Sequence, residues 1–200
     1  MENKFTSLYK ELLKKHGYQG WWPIKGKYFP KDYSSPKNEK ERFGIAIGAI
    51  LTQNTNWKNV EKSIENLHKN NLISPKAIIS LPQEELSSLI RSSGYYNQKA
   101  RKLKEFSNFF LKLNSIPKRN ELLSIWGIGK ETADSILLYS YKKPIFVIDT
   151  YTKRLLKKYL DIAIEDYDEL QSLFHNNLSQ DYKLFNEFHA LIVAEGKISK

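Results

Sequence analysis

Apolar side chains recur with a helical period in five stretches of the chain. Phe5, Leu8, Tyr9, Leu12 and Leu13 fall at i, i+3, i+4, i+7 and i+8, and the same spacing returns at Val60, Ile64 and Leu67 and at Leu103, Phe106 and Phe110. It continues at Tyr167, Leu170 and Phe174, then at Leu184, Phe188, Leu191 and Ile192. Glycine or proline interrupts between these runs, at Gly17, Gly20, Pro23, Pro75, Pro82, Gly94, Pro117, Gly127, Gly129 and Pro144. The pattern predicts an all-α chain of many short helices joined by tight connections. The single strand-like run, Pro144 to Ile148, has no partner of similar composition and reads as a buried extended link. Residues 24 to 40, rich in Lys, Pro, Ser and Tyr, are the expected long loop, and no internal repeat is visible.

Two hundred residues with 40% hydrophobic content suffice for one or two compact domains without metal or disulfide staples, which excludes extended disorder. Zero cysteines exclude a disulfide framework, a thiolate zinc site, a cysteine nucleophile and a cysteine-ligated iron–sulfur cluster within this chain. His16, His68, His175 and His189 lack metal-ligand spacing, so no metal site is expected from side chains. No run approaches the roughly eighteen apolar residues of a membrane span, and Met1-Glu2-Asn3-Lys4-Phe5 is not a signal-peptide start; a cytoplasmic location is expected.

The net charge of +10 is unevenly placed. Lys99 to Lys158 holds fourteen Lys/Arg against five Asp/Glu, or +9, whereas the other residues carry eighteen against seventeen, or +1. A solvated lysine-rich surface is the plain explanation; concentration into one segment favours a face turned to a polyanion.

Leu122 to Leu137 contains Trp126-Gly127-Ile128-Gly129-Lys130-Glu131-Thr132-Ala133. Two glycines one residue apart allow a tight turn between helices and a close backbone approach. Thr132 and Ala133 are expected to start a helix whose free amides face outward to a phosphate, with the Lys130 charge beside them. A plain helical corner would also satisfy this pattern. Twenty residues after Gly129, the run Ile145-Phe146-Val147-Ile148 delivers Asp149 to the mouth of the next helix. An N-cap is the commonest reason for an aspartate there. Thr150 could cap equally well, and a carboxylate facing a basic surface could stabilise positive charge on a substrate.

With these residues in view, the chain resembles the helix–hairpin–helix DNA glycosylases, the endonuclease III superfamily of base-excision repair. The resemblance spans most of the chain through four motifs in order: Ile47 to Thr55, Gly94-Tyr95-Tyr96-Asn97-Gln98-Lys99-Ala100, the hairpin at 122 to 137, and Val147-Ile148-Asp149-Thr150. It implies two helical domains with a DNA-binding cleft between them: a bundle over 45–149, and a second domain built from 1–44 plus 150–200. By position it implies catalysis by Asp149, gap filling beside the flipped nucleotide by Gln53, and an opposite-strand wedge at Tyr95, with Asn54 of the first motif also expected to bind DNA. Phosphate contact falls to Gly127, Gly129, Lys130 and Thr132. The implied partner is double-stranded DNA containing a damaged base, with no membrane, and the protein is expected to be a monomer. No cofactor is implied beyond a structural monovalent cation on the hairpin carbonyls.

Two departures from the family pattern narrow the reading. Bifunctional glycosylase/lyases end the hairpin Gly-x-Gly-x-Lys-Thr-Ala and use that lysine to form a Schiff base; here the position is Glu131, and Lys130 lies on a different side of the helix turn. This argues for a monofunctional enzyme that uses water. The four-cysteine loop that follows the last helix in many relatives has no counterpart before Lys200. Together with Trp21-Trp22-Pro23 and Trp57, these departures make the chain most similar to the bacterial 3-methyladenine DNA glycosylase III branch. A cationic alkylated purine would stack on the indoles, with Pro23 and Lys197 completing a base pocket. Because such a base leaves readily, one carboxylate, Asp149, suffices and no general acid is expected. Still open are a glycosylase for mismatched thymine, uracil or an oxidised base, a non-catalytic hairpin DNA-binding protein, and an RNA-binding helical protein.

Overall fold

The structure is a computed structural model that describes residues 3–198. The described residues form helices and no strand; one isolated antiparallel bridge joins Ile24 and Lys27. In order, the helices are α1 (Lys4–His16), α2 (Glu39–Leu51), α3 (Trp57–Lys69), α4 (Pro75–Ser80), α5 (Gln83–Leu89), α6 (Tyr96–Leu111), α7 (Arg119–Leu123), α8 (Lys130–Ser135), α9 (Thr150–Leu160), α10 (Tyr167–Asn177) and α11 (Tyr182–Ile198). A 3₁₀ turn at Arg91–Ser93 precedes α6, and α8 runs on as a π-helical stretch, Ile136–Ser140. Side-chain caps start most of the longer helices: Asn3, Asn38, Asn56, Asp149 and Asp166 each accept the amide three residues on.

Two cores organise these helices. The first joins α2 and α3 to α6, α7 and α8, around Phe43, Ile47, Ile50, Leu103 and Phe106. The second joins α1 to α9, α10 and α11, around Leu12, Phe146, Phe174, Phe185 and Phe188. Phe146 and Phe174 stack there with centroids 3.6 Å apart. Leu138 to Ile148, expected from sequence to belong to the first unit, contribute Leu138, Tyr139, Phe146, Val147 and Ile148 to the second core. The 144–148 run is extended, unpaired and largely buried, as its composition predicts.

The irregular segment between α1 and α2 begins at Gly17, whose φ of 69° ends α1, and lasts to Asn38. It is pinned rather than loose. Glu187 of α11 accepts the Gln19 amide at 2.6 Å and the Tyr33 hydroxyl at 2.7 Å, and the Asn186 amide donates to the Trp21 carbonyl at 3.1 Å. Those bonds carry Trp21 and Trp22 to the seam between the two cores, which both count Trp22 among their packed residues.

Candidate active site and nucleic-acid interface

Trp21, Trp22, Pro23, Trp57, Asp149 and Lys197 line a single cavity of about 130 Å³ at this seam. Trp22 is the pivot of the aromatic wall: it meets Trp57 edge-on at 5.0 Å between centroids, Tyr139 at 5.0 Å, and Trp21 at 5.9 Å. The Trp57 indole is fixed by donating to Glu61 at 2.8 Å. On α2, Gly48 makes room for the wall, because a Cβ there would sit 3.0 Å from the Trp22 ring.

Asp149 performs two tasks with its two oxygens. Oδ1 caps α9, accepting the Thr152 amide at 2.7 Å and the Thr152 hydroxyl at 2.9 Å. Oδ2 lies 3.4 Å from His189 Nε2, at the outer edge of hydrogen-bonding reach, and that nitrogen has no closer partner. The other ring nitrogen of His189, Nδ1, is 2.5 Å from the Tyr139 hydroxyl. A hydroxyl that donates to Nδ1 leaves the ring proton on Nε2, facing the carboxylate; the opposite tautomer would aim a lone pair at Oδ2. Burial alone would raise the Asp149 carboxyl, but the contacts with His189 and Thr152 outweigh it and hold the group below its ordinary value. Asp149 is therefore a carboxylate at neutral pH.

Glu131 lines the same cavity, as do Thr132 and His189. Its side chain is solvent-exposed, although protein atoms stand close around its carboxyl group. This partial burial, and next the charge of Asp149, push its carboxyl up to about 7, with His189 opposing. The site thus contains two carboxyl groups with separated protonation ranges, which corrects the expectation of a single well-placed one. In the sequence Glu131 registers only as a missing lysine, because its approach to Asp149 is made by tertiary packing.

At the hairpin, the turn follows the glycines but α8 starts at Lys130, with Gly129 as its N-cap, two residues before the expected start. The Ala133 amide is bonded to the Gly129 carbonyl at 2.9 Å, so the outward amides are those nearer Lys130 and not that of Ala133. Gly127 needs its φ of 81°, and a Cβ on it would strike the Lys102 side chain at 2.5 Å. Gly129 faces open space. Backbone carbonyls of this turn suit the implied monovalent cation: Ile125 accepts the Ile128 amide at 3.1 Å and Gly127 accepts the Gln53 amide at 3.1 Å, each leaving a lone pair.

The remaining interface residues divide. Tyr95 is 64% exposed, in left-handed conformation just before α6. Asn54 also has positive φ, at 51°. Gln53 is tied down: its amide donates to Thr132 Oγ1 at 2.9 Å as well as to Gly127, and its oxygen accepts from Lys102. The Thr132 side chain is correspondingly buried and belongs to the cavity and the Gln53 contact, not to an exposed phosphate face. Lys130 stands outside the cavity, 2.6 Å from Asp168. The basic stretch is also less free than its count implies, since Lys99 is buried, Arg119 grips the buried Asp134 and Lys153 pairs with Glu165. Arg101 stays on the hairpin side with its guanidinium 4.0 Å over the exposed Trp126 ring.

Comparison with known proteins gives this arrangement its class. The profile described as HhH-GPD superfamily base excision DNA repair protein matches residues 47–180. A Methanocaldococcus jannaschii protein named as a DNA repair glycosylase is 40% identical, the alignment covering 98% of this chain and 90% of that protein. Among solved structures, the H. pylori 3-methyladenine DNA glycosylase bound to 1,N6-ethenoadenine superposes with a TM-score of 0.78 at 32% identity, covering 99% of this chain and all of that one. A non-covalent endonuclease III–DNA complex shares the fold, with a TM-score of 0.75 at 21% identity over 96% of this chain and 85% of that one. The chain belongs to the HhH-GPD superfamily and is a DNA glycosylase of base-excision repair. No described helix is long and apolar enough to cross a membrane.

Proposed function

We propose that this glycosylase is monofunctional and hydrolyses the N-glycosidic bond of alkylated purines of the 3-methyladenine type in duplex DNA. The observation that carries this reading is the indole wall of Trp21, Trp22 and Trp57 set against the ionised Asp149, with Glu131 where a lyase has lysine. A flipped cationic purine gains stacking of about 1–3 kcal/mol on such faces. Similarity to the H. pylori enzyme along the whole chain supports the same substrate class.

As the base departs, positive charge develops on the deoxyribose. Asp149 Oδ2 stabilises that charge and orients the attacking water, while Oδ1 stays engaged in the cap and keeps the carboxylate from rotating. Glu131, protonated at and below about pH 7, relieves Asp149 of a second negative neighbour and can donate a hydrogen bond into the cavity. Lys130, Arg101 and Tyr95 form the duplex-facing side, and the Ile125 and Gly127 carbonyls would hold a monovalent cation that would supply positive charge for phosphate. The test is chromatography of bases freed from methylated, uracil-containing and oxidised duplexes. Release of 3-methyladenine as main product supports the proposal; preferential release of thymine, uracil or an oxidised base removes the substrate assignment.

A further inference from the structure

Lys99 is 1% exposed, and no ion pair engages it among the described residues. Its ammonium donates instead to two backbone carbonyls, Leu51 O at 2.8 Å and Ser93 O at 2.6 Å. Each carbonyl closes a helical element: Leu51 is the last residue of α2 and Ser93 the last of the 3₁₀ turn. Such terminal carbonyls lack intrahelical partners and lie at the negative end of the local dipole, so a cation placed between two of them answers both. For stability alone this is a costly choice, since an apolar side chain of similar length would avoid burying a charge without an acid. Burial does depress the Lys99 ammonium, to about 8.

The segments that leave these two carbonyls explain the choice. Thr52, Gln53 and Asn54 come directly after Leu51; Gly94 and Tyr95 come directly after Ser93. Both segments leave their helices through left-handed backbone, Asn54 at φ 51°, Gly94 at 69° and Tyr95 at 46°, and so have few other ladder bonds to hold them. One turn further along α6, Lys102 reaches the side-chain oxygen of Gln53. One face of α6 therefore carries two lysines, Lys99 bonded to both segments and Lys102 to the Gln53 side chain.

We propose that Lys99 is a positioning residue that fixes the Gln53–Asn54 loop and the Tyr95 loop at one mutual spacing, so that both enter the duplex together. The role rests on the DNA-facing reading of Gln53 and Tyr95. It adds that the two are a single rigid device, set by a residue that itself never meets DNA.

The test compares Lys99→Met, which keeps the stem and removes the N–H donors, in the native chain and in a Gln53→Ala/Tyr95→Ala chain. Two signals are read: unstacking of a 2-aminopurine opposite a tetrahydrofuran abasic site, and single-turnover excision from methylated duplex. In the native chain Lys99→Met should reduce the 2-aminopurine signal and slow excision by about 10- to 100-fold, the scale of a small misplacement, with affinity for undamaged duplex unchanged. In the double-alanine chain it should add nothing further. A native rate in Lys99→Met, or an equal further loss in the double-alanine chain, overturns the proposal. If Lys99→Met does not fold, Lys99→Leu, which likewise lacks N–H donors, is read in the same way. Native excision by the double-alanine protein itself would instead overturn the placement of the loops in DNA, and with it the proposed role. Amide exchange at residues 52–55 and 94–96 separates that failure from a failure of the clamp, because it should rise in Lys99→Met only if Lys99 fixes the loops.

Discussion

Glu131 and Asp149 face one cavity with their carboxyl groups displaced in opposite directions, Glu131 up to about 7 and Asp149 below its ordinary value. The difference comes from neighbours. Asp149 is held by Thr152 and His189, whereas partial burial and the Asp149 charge act on Glu131 without a hydrogen bond to offset them. Glu131 is thus the group of the pair whose charge changes near neutrality.

Activity should therefore depend on pH. The single-turnover excision rate should inflect near pH 7, and Glu131→Gln should flatten that inflection. Stability should respond with a definite sign: a folded value of about 7 above the ordinary 4.5 means the folded state binds more proton between those limits, so stability falls as pH rises from 4.5 to 7. Thermal melts of the two proteins across that window check it, with Glu131→Gln losing the slope.

Strand cleavage should be absent. Lys130 is engaged by Asp168 and lies outside the cavity, so no lysine stands where the Schiff-base amine would be needed except Lys197, on the opposite element. Borohydride treatment during turnover should leave no protein–DNA adduct. A trapped adduct at the level of base release would contradict a water mechanism, and its mapped lysine would identify the nucleophile.

The two hairpin glycines should separate by phenotype. Gly127→Ala forces a side chain into left-handed backbone and against Lys102, and should cost about 1–3 kcal/mol of stability. Gly129→Ala meets no atom within contact range and should fold normally. Its effect should instead be weaker binding to all duplexes alike, with salt dependence near −0.9 per phosphate contact retained for the remaining contacts. Melting and fluorescence anisotropy on both variants distinguish the two.

Asp134 anchors the hairpin from beneath. It is fully buried and takes Arg119 at 2.7 and 3.0 Å, the Tyr167 hydroxyl at 2.8 Å and the Gln171 amide at 2.8 Å. Asp134→Ala strands three donors and should destabilise by about 3–5 kcal/mol. A denaturant midpoint near that of the unmodified protein would show that these groups find other partners.

Much of this architecture is legible from spacing, and the exceptions share a cause. α1, α3, α6 and α10 bury one side and expose the other, so their period is visible; Ile45 to Leu51 of α2 and Phe185 to Val193 of α11 are buried all round, and polar residues such as Asn186, Glu187 and His189 are what break the apolar run of α11. Asp149 and the glycines stand in contiguous motifs that a linear reading can register. His189 sits among apolar residues of α11 and is marked as functional only by Tyr139 and Asp149, fifty and forty positions away. Lys99 is indistinguishable from surface charge until its two carbonyl partners are seen. Trp21 and Trp22 reach the pocket through bonds to α11, which composition cannot report.

The most direct measurement is release of free base from an alkylated duplex by the unmodified protein and by Asp149→Asn, side by side under single-turnover conditions. Asparagine can still accept the Thr152 amide and cap α9 while lacking the charge. The unmodified protein should release 3-methyladenine as its main product, and the folded variant should bind the same duplex yet excise at least about 100-fold more slowly. Excision by Asp149→Asn at near the unmodified rate would contradict the catalytic role assigned to this carboxylate.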